Sequence, residues 1–398
     1  MFNFALVAVL LCEMTHFSNT KKSWLAAAMS CGFFVGCAAG YFSDCWGRVY
    51  VFKRQISLTV VGTVGLACST SYGSILAAVF ILGIGAGADE AVANTIALES
   101  FPPSQRSKVT LISLAWSLGL VFGYSLAFVL VFTEVTVVAR WRMLAFCAAG
   151  LAVLAVALRV RLQETPGFLY EKQRHHEFNT VLAYIETCNK TSPLMYTALA
   201  GDPPVPKPQR LFVLKFLPRT LTMGAVYFLY SFAFSGIFFF MPTLLQTTDS
   251  LVTFGVVAVQ QSCGAPGQLL ATYLVDGALG RKLTWALGFS LSAVSLMLIL
   301  CVENVWGLMV VTSVHTMFFN MGISALFTHS QELFPESVRS KSSGLFIASA
   351  RIGSMVGPLV AGILIDKLGV GAPTVLNGLC LVLVSVLSAT IHDTKKRQ

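Results

Sequence analysis

Apolar residues in this chain come in long unbroken runs, with no alternation of period two and almost no charge inside them. A bilayer core has no water to satisfy backbone polar groups, so runs of about 20 apolar residues read as membrane-crossing helices. Such runs fall near residues 24–42, 56–72, 74–98, 109–132, 142–160, 219–245, 254–275, 283–301, 305–330, 343–366 and 372–391. A further apolar stretch, from Phe2 to Cys12, is too short to cross. It lacks a preceding Lys or Arg and a following small-residue cleavage site, so it does not read as a signal peptide either. The expectation is an all-α polytopic membrane protein.

Composition agrees: 56% of residues are hydrophobic and 11% charged, which excludes a soluble enzyme or a disordered regulator. Net charge is +9, but Lys and Arg sit in short clusters between the runs, not along one face as a nucleic-acid groove requires. Counted over alternate connections, 21 positive charges fall on one side and five on the other. That bias places the richer side, and the C-terminus, in the cytoplasm, of either the plasma membrane or an intracellular vesicle. Cys31, Cys37, Cys68, Cys147, Cys263, Cys301 and Cys380 lie inside the runs without metal-ligand spacing and read as small buried hydrophobes. Neither a metal nor a cofactor is expected, and no catalytic arrangement appears.

The long polar connection, residues 161–215, contains Gly201-Asp202-Pro203-Pro204 and reads as a cytoplasmic linker with one short amphipathic helix near residues 173–188. It separates an N-terminal bundle, 1–160, from a C-terminal six-helix bundle, 216–391, followed by a tail, 392–398. An internal repeat relates the two. Gly47-Arg48 recurs as Gly280-Arg281 at an offset of 233. The same offset carries Glu99 to Glu332, Phe101-Pro102 to Phe334-Pro335, and Arg106-Ser107-Lys108 to Arg339-Ser340-Lys341. The offset spans an even number of helices, so the halves run parallel, an arrangement in which substrate is held near the midplane between two rocking bundles.

Gly40 to Arg48 (GYFSDCWGR) resembles the signature loop of the major facilitator superfamily, and Asp276 to Lys282 resembles its second copy. Trp141-Arg142, Gln163-Glu164-Thr165-Pro166 and Asp393-Thr394-Lys395 are similar to patterns of its sugar-porter and organic-ion branches. Ala350-Arg351-Ile352-Gly353 and Ala265-Pro266-Gly267 resemble the synaptic-vesicle-2-related and organic cation/anion transporters. Departures from those patterns stand at Val79, Ala93 and Gly167. The resemblance implies a transporter fold in which Asp44, Arg48, Glu99 and Arg106, with Asp276, Arg281, Glu332 and Arg339, form a cytoplasmic gating network.

Inside the bilayer, ionisable groups are costly and are functional candidates by default. Asp89, Glu90 and Arg351 each lie roughly 14 Å from the cytoplasmic face at 1.5 Å per helical residue, near the midplane. They either form a structural pair or coordinate substrate or a coupling proton or cation. His329 belongs to the inner rim and His315 to the outer end, both as packing residues. Tyr227, Tyr230, Phe234 and Phe238 share one helix face, which either packs in the core or lines the cavity, where it would attract an organic cation. Gly83, Gly85 and Gly87 let helices approach closely.

The leading expectation is a secondary transporter moving a small organic ion by alternating access. Alternatives are a transport-inactive vesicle receptor or sensor and a sugar facilitator, the last disfavoured by a low density of Gln and Asn in the second half. Subtracting the repeat offset from the seventh run places Met1 in mid-helix. The chain is therefore expected to be either an amino-truncated product or one whose first segment does not span stably.

Overall fold

In the computed structural model the described residues are 2–14, 17–100, 110–133, 135–189, 217–241, 250–277, 279–334 and 336–391, and among them there is no strand. The first half comprises α1 (Phe2–Glu13), α2 (Asn19–Gly36), α3 (Ala39–Trp46), α4 (Arg48–Ala67), α5 (Tyr72–Ser100), α6 (Thr110–Val131) and α7 (Val137–Arg159). Two short helices follow, α8 (Pro166–Glu171) and α9 (His175–Asn189). The second half comprises α10 (Leu217–Phe238), α11 (Ser250–Ser262), α12 (Gly264–Asp276), α13 (Gly280–Leu298), α14 (Val305–Glu332), α15 (Glu336–Leu368) and α16 (Gly371–Leu387). The halves meet along two seams, α2 against α15 and α6 against α11 and α12.

Nine of the described helical segments are long and apolar enough to cross a membrane. Two crossings read from the sequence differ in detail. The 254–275 run is two helices, α11 and α12, because the chain turns at Cys263, whose N–H bonds to Gln260 O three residues back. The crossing expected at 56–72 runs from Arg48 to Ala67, its first turns carrying Arg48, Lys53 and Arg54. The first segment is a 12-residue helix, about 18 Å long. Residues Ala5 to Leu11 are all at most 2% exposed, so α1 is enclosed on every face, chiefly by α6 and α7. In the connection, two helices replace the single one expected, joined through a small core of Phe168, Leu169 and Val181; residues 190–216 lie outside the description.

The repeat has a backbone counterpart. Gly47 and Gly280, the glycines of the two Gly-Arg pairs, take φ of +120° and +73°, conformations that disfavour any side chain. Gly47 ends α3 and opens α4, and Gly280 opens α13. The glycines of α5 divide between two neighbours: a Cβ on Gly83 or Gly87 would strike the backbone of α2 at Met29 or Phe33, whereas one on Gly85 would strike Thr59 of α4. A two-residue glycine step therefore lets α5 pack tightly on both sides.

The cysteine expectation needs correction. Cys68, Cys147 and Cys301 are exposed and Cys31, Cys37, Cys263 and Cys380 half-buried. A bilayer makes the outside of the bundle as apolar as the inside, so an apolar run does not imply interior position. The same belt shows Phe122, Leu154, Val294 and Val386 on the surface.

Candidate functional site

An ion pair joins the two halves. Arg351 of α15 donates to Glu90 Oε1 of α5 at 2.9 Å. The guanidinium lies 3.8 Å from the centroid of the Phe33 ring of α2. Both charged side chains are largely covered, at 17% and 28% exposure, and Glu90 Oε2 and Arg351 Nε have no partner among the described residues. A pair held away from water is costly to break on one side only, because the survivor is an unpaired charge in an apolar setting.

Asp89 takes the opposite direction from its neighbour. Its carboxylate binds Arg159 of α7 at 2.7 Å and accepts from Gln55 Nε2 of α4 at 3.2 Å. Arg159 also donates to Phe52 O and stacks 3.6 Å from the Phe52 ring. The three midplane candidates thus separate: Glu90 and Arg351 meet between the halves, while Asp89 ties α5 to α4 and α7 within the first half. Consecutive residues on a helix are 100° apart, which sends adjacent acids to different neighbours.

A second feature lies farther toward the end of the bundle opposite Arg48. A cavity of about 30 Å³, room for a single water, lies between Trp116 and Ser117 of α6 and the second-half residues Phe234, Gln260, His315 and Asn320. Phe234 stacks on Phe319 with centroids 5.3 Å apart and on Phe238 at 5.2 Å. The aromatic face of α10 is therefore split. Tyr227 is core, bonded to Ser330 Oγ at 2.7 Å, Tyr230 stacks on Phe289, and Phe234 and Phe238 border the cavity. His315 also borders it, bonded to Ser292, whereas the sequence reading set it aside as packing at the outer end. His329 is fully buried and accepts from Trp285 Nε1 at 2.9 Å.

Gln260, Gln261, Asn320 and Ser117 were not singled out from sequence. Their average density along the spans is low, but the fold gathers them in one place. The adjacent pair Gln260-Gln261 inside an apolar run was the available signal.

At the Arg48 end, Arg48 binds Asp44 at 3.0 Å and lies 5.1 Å from the Phe168 ring of α8. Glu164 accepts the N–H groups of Val49 and Tyr50, capping α4. In the second half Arg281 pairs with Glu332. Arg106 lies outside the described residues, as do the side chains of Glu99, Asp276 and Arg339.

An all-helical chain whose two halves meet across a charged pair has the arrangement of a membrane transporter of the major facilitator class. The family model described as "Sugar (and other) transporter" matches residues 9–398, and the chain belongs to that family. It is similar to the niacin transporter NiaP of Acinetobacter baylyi, 27% identical over 351 residues that cover 85% of this chain and 77% of the relative. It is also similar to the synaptic vesicle 2-related protein of Rattus norvegicus, 26% identical over 424 residues covering 98% and 76%. Among solved structures, the xylose transporter XylE from E. coli in a partially occluded inward open conformation matches with TM-score 0.79 and 15% identity, covering 100% of this chain and 95% of that one.

Proposed function

We propose that this transporter moves a small organic ion by alternating access, its two halves, 1–160 and 216–391, rocking about a site between them. The observation that carries the reading is the covered Glu90–Arg351 pair, which spans the seam where the halves must separate. An ion binding beside it competes for one partner, so ligand binding and opening of the seam are linked energetically. A coupling proton or cation has Glu90 as its natural acceptor. The excess of positive charge at the Arg48 end puts that end and the C-terminus in the cytoplasm. The niacin transporter relative suggests a planar heteroaromatic ring, which suits walls made of Phe234, Phe238 and Phe319.

Uptake of a radiolabelled panel of aromatic cations and anions into proteoliposomes tests the reading. Saturable uptake that falls at least tenfold in both Glu90→Gln and Arg351→Gln supports it. Uptake indistinguishable from empty vesicles for every charged compound overturns it. The collected Gln260, Gln261 and Asn320 also favour a sugar facilitator as second reading, so D-xylose belongs in the panel.

A further inference from the structure

The cavity between α6, α10, α11 and α14 has a polarity set by its hydrogen bonds. Thr316 Oγ1 donates to Thr312 O at 3.0 Å, so its lone pairs accept Gln260 Nε2, also at 3.0 Å. That contact orients the Gln260 amide and leaves Oε1, on a side chain 2% exposed, without a partner among the described residues. Asn320 is engaged at both ends, donating to Thr316 O at 2.9 Å and accepting Gln268 Nε2 at 3.3 Å.

His315 follows the same logic. Its Nδ1 lies 3.1 Å from Ser292 O, a carbonyl that can only accept, and 2.9 Å from Ser292 Oγ. Nδ1 therefore carries the ring proton, and Nε2 of the neutral ring is an acceptor. The ring also faces Phe319, at 5.8 Å between centroids, and no Asp or Glu lines the cavity among the described residues. Ser117 and Gln261 can present either a donor or an acceptor to a ligand. Gln260 Oε1 and His315 Nε2 are fixed as acceptors, and the lining group confined to donating is the Trp116 indole N–H. Among the described residues no Asp, Glu, Lys or Arg borders the cavity.

We infer that Gln260 and His315 are specificity-determining residues that make this pocket select planar aromatic ligands bearing N–H donors and reject carboxylates. The inference rests on the reading of a transporter of small organic ions and narrows its substrate to donor-bearing cations or amides. A ligand N–H satisfies a buried acceptor that is otherwise unpaired, and the stacked Phe234 and Phe319 rings favour a cation over an anion. A carboxylate brings only acceptors to a pocket that already fixes two, and its charge finds no free cation among the described lining residues, Arg351 being held by Glu90. The cavity admits only one water, so a ring enters by displacing Phe234 or Phe238, which places the rings on the faces of the ligand.

Equilibrium binding to the purified full chain tests this with four probes: benzylammonium, benzyltrimethylammonium, nicotinamide and nicotinate. Benzylammonium is expected to bind about tenfold tighter than benzyltrimethylammonium, a bulkier cation of the same charge without N–H groups, and nicotinamide about tenfold tighter than nicotinate. Gln260→Leu and His315→Phe should each reduce these ratios to about twofold. Gln260→Glu, which keeps the shape and strengthens the acceptor, should raise the preference for benzylammonium, and serves if the apolar variants do not fold. Nicotinate binding as tightly as nicotinamide, ratios unchanged in all three variants, or no binding of any probe overturns the inference. Selective binding without proteoliposome uptake would instead remove the transport reading and leave the pocket's selectivity standing. Uptake of carboxylates in preference to amides would do the reverse.

Discussion

Asp366, two residues before the end of α15, accepts the backbone N–H of Thr20 at 2.9 Å and its hydroxyl at 2.5 Å, so a second-half carboxylate caps a first-half helix. Asn19 Nδ2 adds a third bond at 2.9 Å. The N-terminus of α2 carries partial positive charge and unpaired N–H groups, which an anion stabilises. This clasp closes the seam at the end of the bundle away from Arg48, and Gly362 packs beside it so tightly that a Cβ there would meet Ser23.

Asp366→Ala is therefore expected to open that end. Losing three hydrogen bonds to a solvent-exposed carboxylate costs about 1–1.5 kcal/mol after screening, enough to shift a two-state equilibrium roughly five- to tenfold. Alkylation of Ser23→Cys by a membrane-impermeant reagent should accelerate by at least fivefold in the Asp366→Ala background. An unchanged rate would show that the clasp does not hold the seam.

Glu90 and Arg351 make a second prediction that separates stability from transport. Glu90→Gln or Arg351→Gln alone leaves a covered charge unpaired, at about 3–5 kcal/mol. The double substitution removes both charges and should recover at least half of the loss in thermal midpoint. Transport should stay lost in all three. Additive losses in the double variant would mean that the two side chains do not interact in the folded state.

Asp89 is expected to behave differently from its neighbour. Its partners, Arg159 and Gln55, lie in the same half, and its side chain is 41% exposed, so solvent screens the pair. Asp89→Asn should lower the thermal midpoint by only a few degrees and change affinity for cationic ligands less than twofold, whereas Glu90→Gln changes it by at least tenfold. Equal effects of both on cation binding would assign Asp89 to the ligand site as well.

Much of the architecture was legible because hydrophobic run length and the Gly-Arg repeat report on the bilayer and on duplication directly. Which residues meet was far less so. Asp89 and Glu90 are adjacent, share a depth and differ by one methylene, yet a 100° rotation sends one to α7 and the other across the seam. Depth along a helix can be counted from sequence; azimuth depends on how neighbouring helices pack. The same limit hid the pocket, since Gln260 and Asn320 are 60 positions apart and only the crossing of α11 and α14 brings them together. Exposure of Cys68, Cys147 and Cys301 shows the complementary limit: in an apolar solvent, hydrophobicity does not distinguish interior from surface.

The junction of α3 and α4 provides the last prediction. Gly47 has φ +120°, and a Cβ built there would lie 2.5 Å from Glu164 Oε2. The same carboxylate supplies the N-terminal cap of α4 through Val49 and Tyr50. Gly47→Ala therefore does two things: it strains the backbone by about 1–3 kcal/mol, and it pushes Glu164 off the helix end. Glu164→Ala removes only the cap, at about 1 kcal/mol. In Gly47→Ala, Glu164 no longer caps, so deleting it as well costs little more. The double variant should accordingly be no less stable than Gly47→Ala by more than about 0.3 kcal/mol, a coupling of at least 0.5 kcal/mol that a thermal-unfolding cycle on the purified protein can resolve. Strict additivity would mean that α4 keeps its Glu164 cap when the glycine is replaced, and that the positive-φ turn and the cap are independent features of this junction.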